Sequence, residues 1–468
     1  QFSKDAAAAA YYPKVSIGAN ASSNSSVANR QSTDISVVQP VYTGGRLTAD
    51  TKSAEAGGTL AEHQFDKTVQ DVVLDAMLAH STLTRNALLV DASRAAERAV
   101  AELLALEEKR VELGGSGLTD AQFARARLAV TQDRLANFEG QFEEARATYF
   151  RYFGAYPQGY SLPELEVPRS MFPATVDDAA TQGLFANPQI RVAETRIVKA
   201  RYDYNSENAS LYPSVNVVGV QSYFGEPDPI TGEDSNSSIN LRLSYSAFSG
   251  GEQIARVNQA AATVETRRSQ LAAARLRVEE SVRFQWGKLT AGEGRSRTLL
   301  AAQTDSLQVF KNRKRLRDFG RETVIVMLDA QVEYFNVLIA YINARFDQRD
   351  AGIRLLHALG QMRPTPGNEG NWFAQFFTED TERKRLESSL KATEAIASSP
   401  SDEKIAERLG ISVSAQEVRE AERFVLTPSQ RLGIIERVEK DKEVRGSMGE
   451  QSLRPSLKAD PALDPRFY

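Results

Sequence analysis

The sequence predicts a mainly α-helical chain with a small antiparallel β part, written twice along its length. Three observations lead there. Glycine landmarks recur at an offset of 206 residues, carrying Gly44-Gly45 onto Gly250-Gly251, Gly114 onto Gly320 and Gly154 onto Gly360. After each Gly-Gly pair the pattern changes from period two to the period of a helix. The helical stretches that follow, 46–113 and 252–319, are 68 residues each, about 100 Å at 1.5 Å per residue. A repeat in constant register takes precedence over any single element, because it assigns both copies at once.

Taken in order, Ala6–Ala10 reads as the last turns of a helix whose start, with a signal peptide before it, is expected to precede this chain. Tyr12-Pro13 answers Tyr212-Pro213 at offset 200; the six-residue difference belongs in a connecting segment, where length changes are tolerated. From Lys14 to Ala21, Val15, Ile17, Ala19 and Ala21 alternate with Lys14, Ser16, Gly18 and Asn20, a strand pattern. Residues 34–43 are its partner by their place in the repeat, although Val37-Val38 interrupts the alternation. Ser22–Thr33 between them is polar and reads as a long loop. In the second copy, 214–224 and 240–248 are the strands. Leu241, Leu243, Tyr245 and Ala247 oppose Asn240, Arg242, Ser244 and Ser246, and Gly225–Ser238 is the loop. The hairpins thus cover 11–43 and 213–249.

The helical parts, 46–154 and 252–360, each hold a long helix, a tip and a shorter return helix. Gly57-Gly58, Gly287, Gly292 and Gly294 each cost about 1 kcal/mol against Ala, which leaves room for local breaks or kinks. Val324, Leu328, Val332, Phe335, Ile339, Ile342, Phe346, Ile353 and Leu356 form a stripe near period 3.5, the spacing of coiled-coil packing. Residues 161–186, with Pro163, Pro168 and Pro173, join the copies, and Asn187-Pro188 opens a helix over 187–211. The partition is a first repeat 1–160, a linker 161–186, a second repeat 187–362 and an extension 363–468.

Composition removes most kinds of chemistry. The chain has no cysteine, so disulfides, thiolate metal sites and cysteine nucleophiles are out. His63, His80 and His357 are too dispersed to share a site, and they read as surface or packing residues. Neither a metal nor a cofactor is expected. With 57 Lys+Arg against 61 Asp+Glu there is no basic surplus to attract nucleic acid. Gly115-Ser116-Gly117 and Gly292-Glu293-Gly294 lack the strand-turn-helix context of catalytic or phosphate motifs, so no catalytic residue and no enzyme is expected. No run of about 18 apolar residues indicates a spanning helix. A membrane β-barrel escapes that test, since its strands are short and alternate.

The duplicated hairpins, the Val41-Tyr42-Thr43-Gly44-Gly45 and Ala247-Phe248-Ser249-Gly250-Gly251 turns, Asn187-Pro188 and the run Phe319-Gly320-Arg321-Glu322-Thr323-Val324-Ile325-Val326-Met327-Leu328-Asp329-Ala330 resemble the TolC-like outer-membrane ducts of Gram-negative bacteria. The resemblance covers residues 6–362. It implies a homotrimer whose twelve strands, four per chain, form one membrane β-barrel in outer-membrane lipid, continued across the periplasm by an α-helical tunnel. Physics asks for the oligomer independently, because four strands cannot close a barrel and the smallest membrane barrels have about eight. Val15, Ile17, Leu241 and Leu243 are then expected to face lipid, and Lys14, Asn240 and Arg242 the lumen.

The same resemblance implies a periplasmic gate at the helix tips, held by polar links and lined by acidic rings. Asp329 matches one ring aspartate, while Val326 stands at the other ring position. Asp120, in Leu118-Thr119-Asp120-Ala121-Gln122, matches an acid of the closing network. The family's partner positions are occupied here by Arg317 and Glu322, so Arg317 or Arg321 is expected to pair with Asp120. Adaptor contacts are expected at Gly114, Gly115, Leu118, Thr119, Gly320 and Thr323. Trp286, the Phe319–Thr323 turn and Glu333-Tyr334-Phe335-Asn336 resemble the type I secretion branch, which implies a periplasmic adaptor and an inner-membrane ABC transporter. A drug-efflux duct fed by an RND pump is the alternative, and a soluble coiled-coil scaffold or adaptor is a reading from another class.

The extension 363–468 lies beyond the resemblance. Trp372, Phe373, Phe376 and Phe377 form an aromatic cluster expected to wrap the waist of the tunnel, with the charged remainder in the periplasm or partly disordered. Ile405–Ser412 looks like a helix-turn-helix fragment, but the acids around it outnumber the bases, the wrong balance for phosphate contacts.

Overall fold

In a computed structural model, residues 2–24, 27–156, 163–225, 234–364, 367, 369–378 and 381–397 are described. The chain opens with helix α1 (Phe2–Ala8) and a 3₁₀ turn, Ala9–Tyr11. Strands β1 (Lys14–Asn24) and β2 (Val27–Tyr42) lead into helix α2 (Arg46–Glu112), which returns as α3 (Leu118–Phe153). A short strand β3 (Glu164–Leu165) and helix α4 (Val176–Ala186) occupy the segment between the copies. The second copy repeats the first: α5 (Pro188–Ala209), β4 (Ser214–Phe224), β5 (Ser235–Ser244), α6 (Glu252–Asp318) and α7 (Val324–Ala358). After it come α8 (Glu369–Ala374), β6 (Phe377–Thr378) and α9 (Thr381–Ala397).

The Gly-Gly pairs make the strand-to-helix corner. Gly44 and Gly45 have φ of +64° and +91°, Gly250 and Gly251 +67° and +87°, a left-handed conformation that side chains resist. At Gly44 a Cβ would also lie 2.8 Å from the Ala209 carbonyl oxygen. α2 and α6 then run 67 residues each without interruption, passing through all five glycines at which breaks were allowed for. One of those glycines has a packing reason: at Gly292 a Cβ would come within 3.0 Å of the Gln348 Cβ on α7.

Asn187 caps α5, its side-chain oxygen accepting from the Gln189 N–H at 2.9 Å while its amide donates to the Ala358 carbonyl at 2.9 Å. Pro188 sits at the first helical position, where no N–H is needed. The segment 161–186 does more than connect. Thr175 caps α4 by accepting from the Asp178 N–H at 3.1 Å, one of the donors a helix start leaves open. Ala179 and Ala180 pack against Val278 and Val282 of α6.

Three expectations about the strands need correction. The polar stretch Ser22–Thr33 is largely strand, since Ala21 pairs with Gln31 and Ser22 with Arg30; ladder bonds use the backbone, so polar side chains do not end them. β5 ends at Ser244, not Phe248, because Ser244 pairs with Ser214, the first residue of β4, and Pro213 beyond it has no N–H to continue the ladder. Of the expected loop Gly225–Ser238, residues 235–238 already belong to β5, Ser238 pairing with Val220 and Ser235 with Tyr223, and residues 226–233 lie outside the described residues.

α7 is buried more widely than its stripe requires. Besides Leu328, Phe335, Ile342, Phe346, Ile353 and Leu356, the side chains of Tyr334, Leu338 and Tyr341 are enclosed, because α7 packs on both α6 and α2. This explains why one window of α7 reaches a mean hydropathy of 1.4. Of the extension, β6 pairs antiparallel with β3, and Trp372 and Phe376 pack over Val73 and Met77 of α2 with Leu356 and Met362. Leu386 of α9 joins Leu88 and Phe346. The stretch 405–412 lies outside the described residues.

Candidate functional site

Two regions of the fold have the geometry for a function: the four-stranded sheet and the paired helix tips at the other end of the 67-residue helices. The sheet runs in the order β1-β2-β4-β5, antiparallel throughout, with β1 and β5 as open edges. Its register sorts the residues by face. Val15 pairs with Val37, Val37 with Gly219 and Gly219 with Ile239; Val217 pairs with Leu241 and Val215 with Leu243. That face is exposed and apolar, with Ile17 at 73%, Ile239 at 85% and Leu241 at 72% of full exposure. The doublets Val37-Val38 and Val217-Val218 place one valine on each face, which is why they read as broken alternation.

The opposite face carries Lys14, Ser16, Asn20, Asp34, Ser36, Asn216, Ser222, Asn240 and Arg242. Asp34 accepts from Asn20 at 3.3 Å, Ser32 at 3.5 Å and Ser222 at 2.5 Å, and Ser16 and Ser36 share a hydrogen bond of 2.7 Å. A sheet with one polar and one bare apolar face, and with two unpaired edges, is incomplete as a single copy.

At the tips the two copies use one turn. The Gly114 and Gly320 N–H groups donate to Val111 and Arg317 carbonyls at 3.0 and 2.7 Å, and Gly115 and Arg321 to Arg110 and Leu316 at 2.7 and 2.9 Å. This paired set of bonds is the Schellman closure of a helix end. It puts Gly114 at φ +74° and Gly320 at φ +70°. A side-chain link nine residues long braces each turn. Ser116 donates to Glu107 in the first copy, and Arg313 to Glu322 in the second. Residues 107 and 116 map onto 313 and 322 at the repeat offset, so the brace is kept while its chemistry changes.

The tip charges pair differently from expectation. Arg317 faces Glu107, with Nη2 to Oε2 at 3.5 Å and both groups buried, at 6% and 1% exposure. The Ser116 hydroxyl also lies 3.0 Å from the Asp120 carboxylate, so its single hydrogen is shared between Glu107 and Asp120. The reason is depth: Glu107 is enclosed on α2 beside the seam of α6, whereas Asp120 lies on the first turn of α3. Arg321 is exposed at the turn, and Glu322 is taken up by Arg313. Asp329 is exposed but compensated within the chain, its carboxylate 2.8 Å from Arg127 of α3, whose guanidinium also lies 5.0 Å from the Phe123 ring. One heptad on, Arg134 donates to Asn336 at 2.6 Å. Val326 is 38% exposed, and Gly114, Gly115, Leu118, Thr119, Gly320 and Thr323 lie open at the tip surface.

Glu107, Ser116, Arg127 and Arg313 were missed from sequence. A signal for the buried pair was present: Val282, Leu289, Ser296, Gln303, Phe310 and Arg317 recur every seven residues on α6, as do Ala79, Asn86, Ser93, Val100 and Glu107 on α2, and all are buried. Arg317 and Glu107 are the last members of two seams.

The family described as outer membrane efflux protein matches residues 3–155 and 181–361. Among curated proteins, the outer membrane efflux protein BepC of Brucella suis is 24% identical over 286 residues, 58% of this chain and 59% of BepC. The outer membrane protein TolC of Vibrio cholerae is 23% identical over 328 residues, covering 66% and 72% of the two chains. The alkaline protease secretion protein AprF of Pseudomonas aeruginosa is 23% identical over 216 residues, 45% of each. The matched part thus spans about three fifths of BepC and under half of AprF. The solved outer-membrane channel OprN has the same fold, with a TM-score of 0.68 at 20% identity over 76% of this chain and 83% of OprN.

Proposed function

This chain belongs to the outer membrane efflux protein family, and from that membership we propose that three copies form an outer-membrane duct: a twelve-stranded barrel in lipid, continued by an α-helical tunnel into the periplasm. The observation that carries the reading is the sheet, whose edges run in opposite directions so that β5 of one copy can pair antiparallel with β1 of the next. In lipid those edges have no other means of satisfying their backbone groups. The apolar face of Val15, Ile17, Ile239, Leu241 and Leu243 then meets lipid. The 67-residue helices provide about 100 Å of tunnel.

The tips are the gate in this reading. The Glu107–Arg317 pair ties α2 to α6, and Asp329, Val326, Asp120, Arg321 and Glu322 line or brace the closure. Exposed Leu118, Thr119, Gly114, Gly115, Gly320 and Thr323 are the surface offered to a periplasmic adaptor. Substrate passes by conduction, and an inner-membrane transporter supplies the energy.

The machine we favour is type I secretion, with an ABC transporter and its adaptor; the features of the Phe319–Thr323 turn and the likeness to AprF, named for alkaline protease secretion, support it. Drug efflux with an RND pump is the second reading, supported by the likeness to BepC, which is named for efflux. Purification from membranes with bound partners tests both. A detergent-requiring trimer carrying an ABC transporter supports secretion, one carrying an RND pump supports drug efflux, and a monomer soluble in plain buffer overturns both.

A further inference from the structure

We propose that the tunnel end of the barrel lumen carries a ring of free cations, Lys14 and Arg242 from each of three copies, that binds small multivalent anions. The proposal rests on the trimeric duct above. Lys14 is the first residue of β1, and Arg242 pairs with Asn216, the third residue of β4. β1 and β4 both start at the helical end of the sheet, so both cations sit where barrel meets tunnel. They share the polar face, opposite Val15 and Leu241. Both are exposed, and neither has a hydrogen-bond or ion-pair partner among the described residues.

Neither Asp34 nor Glu252 neutralises them. Asp34 shares that face but lies in the row of Gly18, four residues along β1 from Lys14, about 14 Å at 3.4 Å per residue. This exceeds the Debye length of about 10 Å at 0.1 M salt, and Asp34 is held by three neutral donors. Glu252, at the start of α6, is paired with Arg256 at 2.5 Å.

β1 and β5 are the two edges, so closure of the barrel sets Lys14 of one copy on the strand beside that bearing Arg242 of the next, and the trimer has six such charges. Twelve strands about 4.8 Å apart and tilted about 40° give a circumference of about 75 Å and a backbone diameter of about 24 Å. No point in the lumen is then more than about 12 Å from the wall, comparable with the Debye length, so the field of the ring reaches the axis.

Titration calorimetry of the detergent-solubilised trimer with potassium ferrocyanide at 0.1 M salt tests this. The expected result is binding that weakens at least tenfold in the variant Lys14→Gln/Arg242→Gln, is lost in 1 M KCl, and is unchanged in Asp34→Asn. Equal affinity in the wild type and the double variant, both trimeric, overturns the proposal alone. A wild-type chain that forms no trimer overturns it together with the reading it rests on.

Discussion

Removing Glu107 should loosen the tips. Its carboxylate is 1% exposed, faces the 6% exposed Arg317 at 3.5 Å and Arg110 at 3.6 Å, and accepts from Ser116. At 3.5 Å the Arg317 contact is an ion pair rather than a good hydrogen bond, so its strength lies in the buried charges. Breaking a buried pair by deleting one member costs about 3–5 kcal/mol, since the other charge stays behind in the interior. Glu107→Ala takes the buried acid away from Arg317 and should show part of that cost. Arg317→Ala leaves Glu107 with Arg110 and Ser116, which lessens its cost. The double variant should cost less than the sum of the singles by about 1 kcal/mol or more, because the two act as one unit. If about 3 kcal/mol falls on tip closure, the ratio of closed to open states drops roughly a hundredfold. Open probability in planar bilayers, alongside thermal unfolding of the trimer, reads both effects. Wild-type open probability in a folded Glu107→Ala trimer, or strictly additive single effects, would refute the reasoning.

Three further outcomes are expected. The Arg127–Asp329 pair is half exposed, so Arg127→Gln should leave stability within about 1 kcal/mol. It should nevertheless strengthen channel block by a multivalent cation, while Asp329→Asn abolishes it; bilayer titration with the cation checks this. Gly360→Ala should lower the melting temperature, because φ is +72° and a Cβ would lie 2.7 Å from the Ala186 carbonyl oxygen. The left-handed strain alone is worth about 1–2 kcal/mol. Burial holds the His80 imidazole below its usual pKa of 6.5, against an opposing bond to the Pro163 carbonyl. The unfolded chain therefore takes the proton more readily, so stability is complete above about pH 6.5 and falls as pH drops below it. Melting curves between pH 7.5 and 5 should show this loss, and His80→Gln should reduce it.

Local rules made much of the fold legible. The Gly-Gly corners, the Asn187-Pro188 cap and the tip glycines are each dictated by backbone geometry within a few residues, and the constant offset doubled the weight of each. The polar ends of β1 and β2 were misread because side-chain chemistry was taken as the guide where backbone pairing decides. The site was harder for a different reason. Glu107 and Arg317 are 210 positions apart in the numbering, as Arg127 and Asp329 are 202, and which of several tip charges meet depends on how the two hairpins lie side by side. Only the seven-residue seams on α2 and α6 indicated that Arg317 would be buried rather than exposed, and a buried arginine requires an acid as deep as itself.

The central claim is that three sheets close edge to edge through β1 and β5. With no native cysteine in the chain, paired cysteines at Val15 or Ile17 in β1 and at Ile239, Leu241 or Leu243 in β5 can be cross-linked in isolated outer membranes and resolved by denaturing electrophoresis. The account predicts, for at least one pairing, a ladder ending at covalent trimer, and monomer alone when either cysteine is omitted. Monomer throughout, across every pairing, would contradict it.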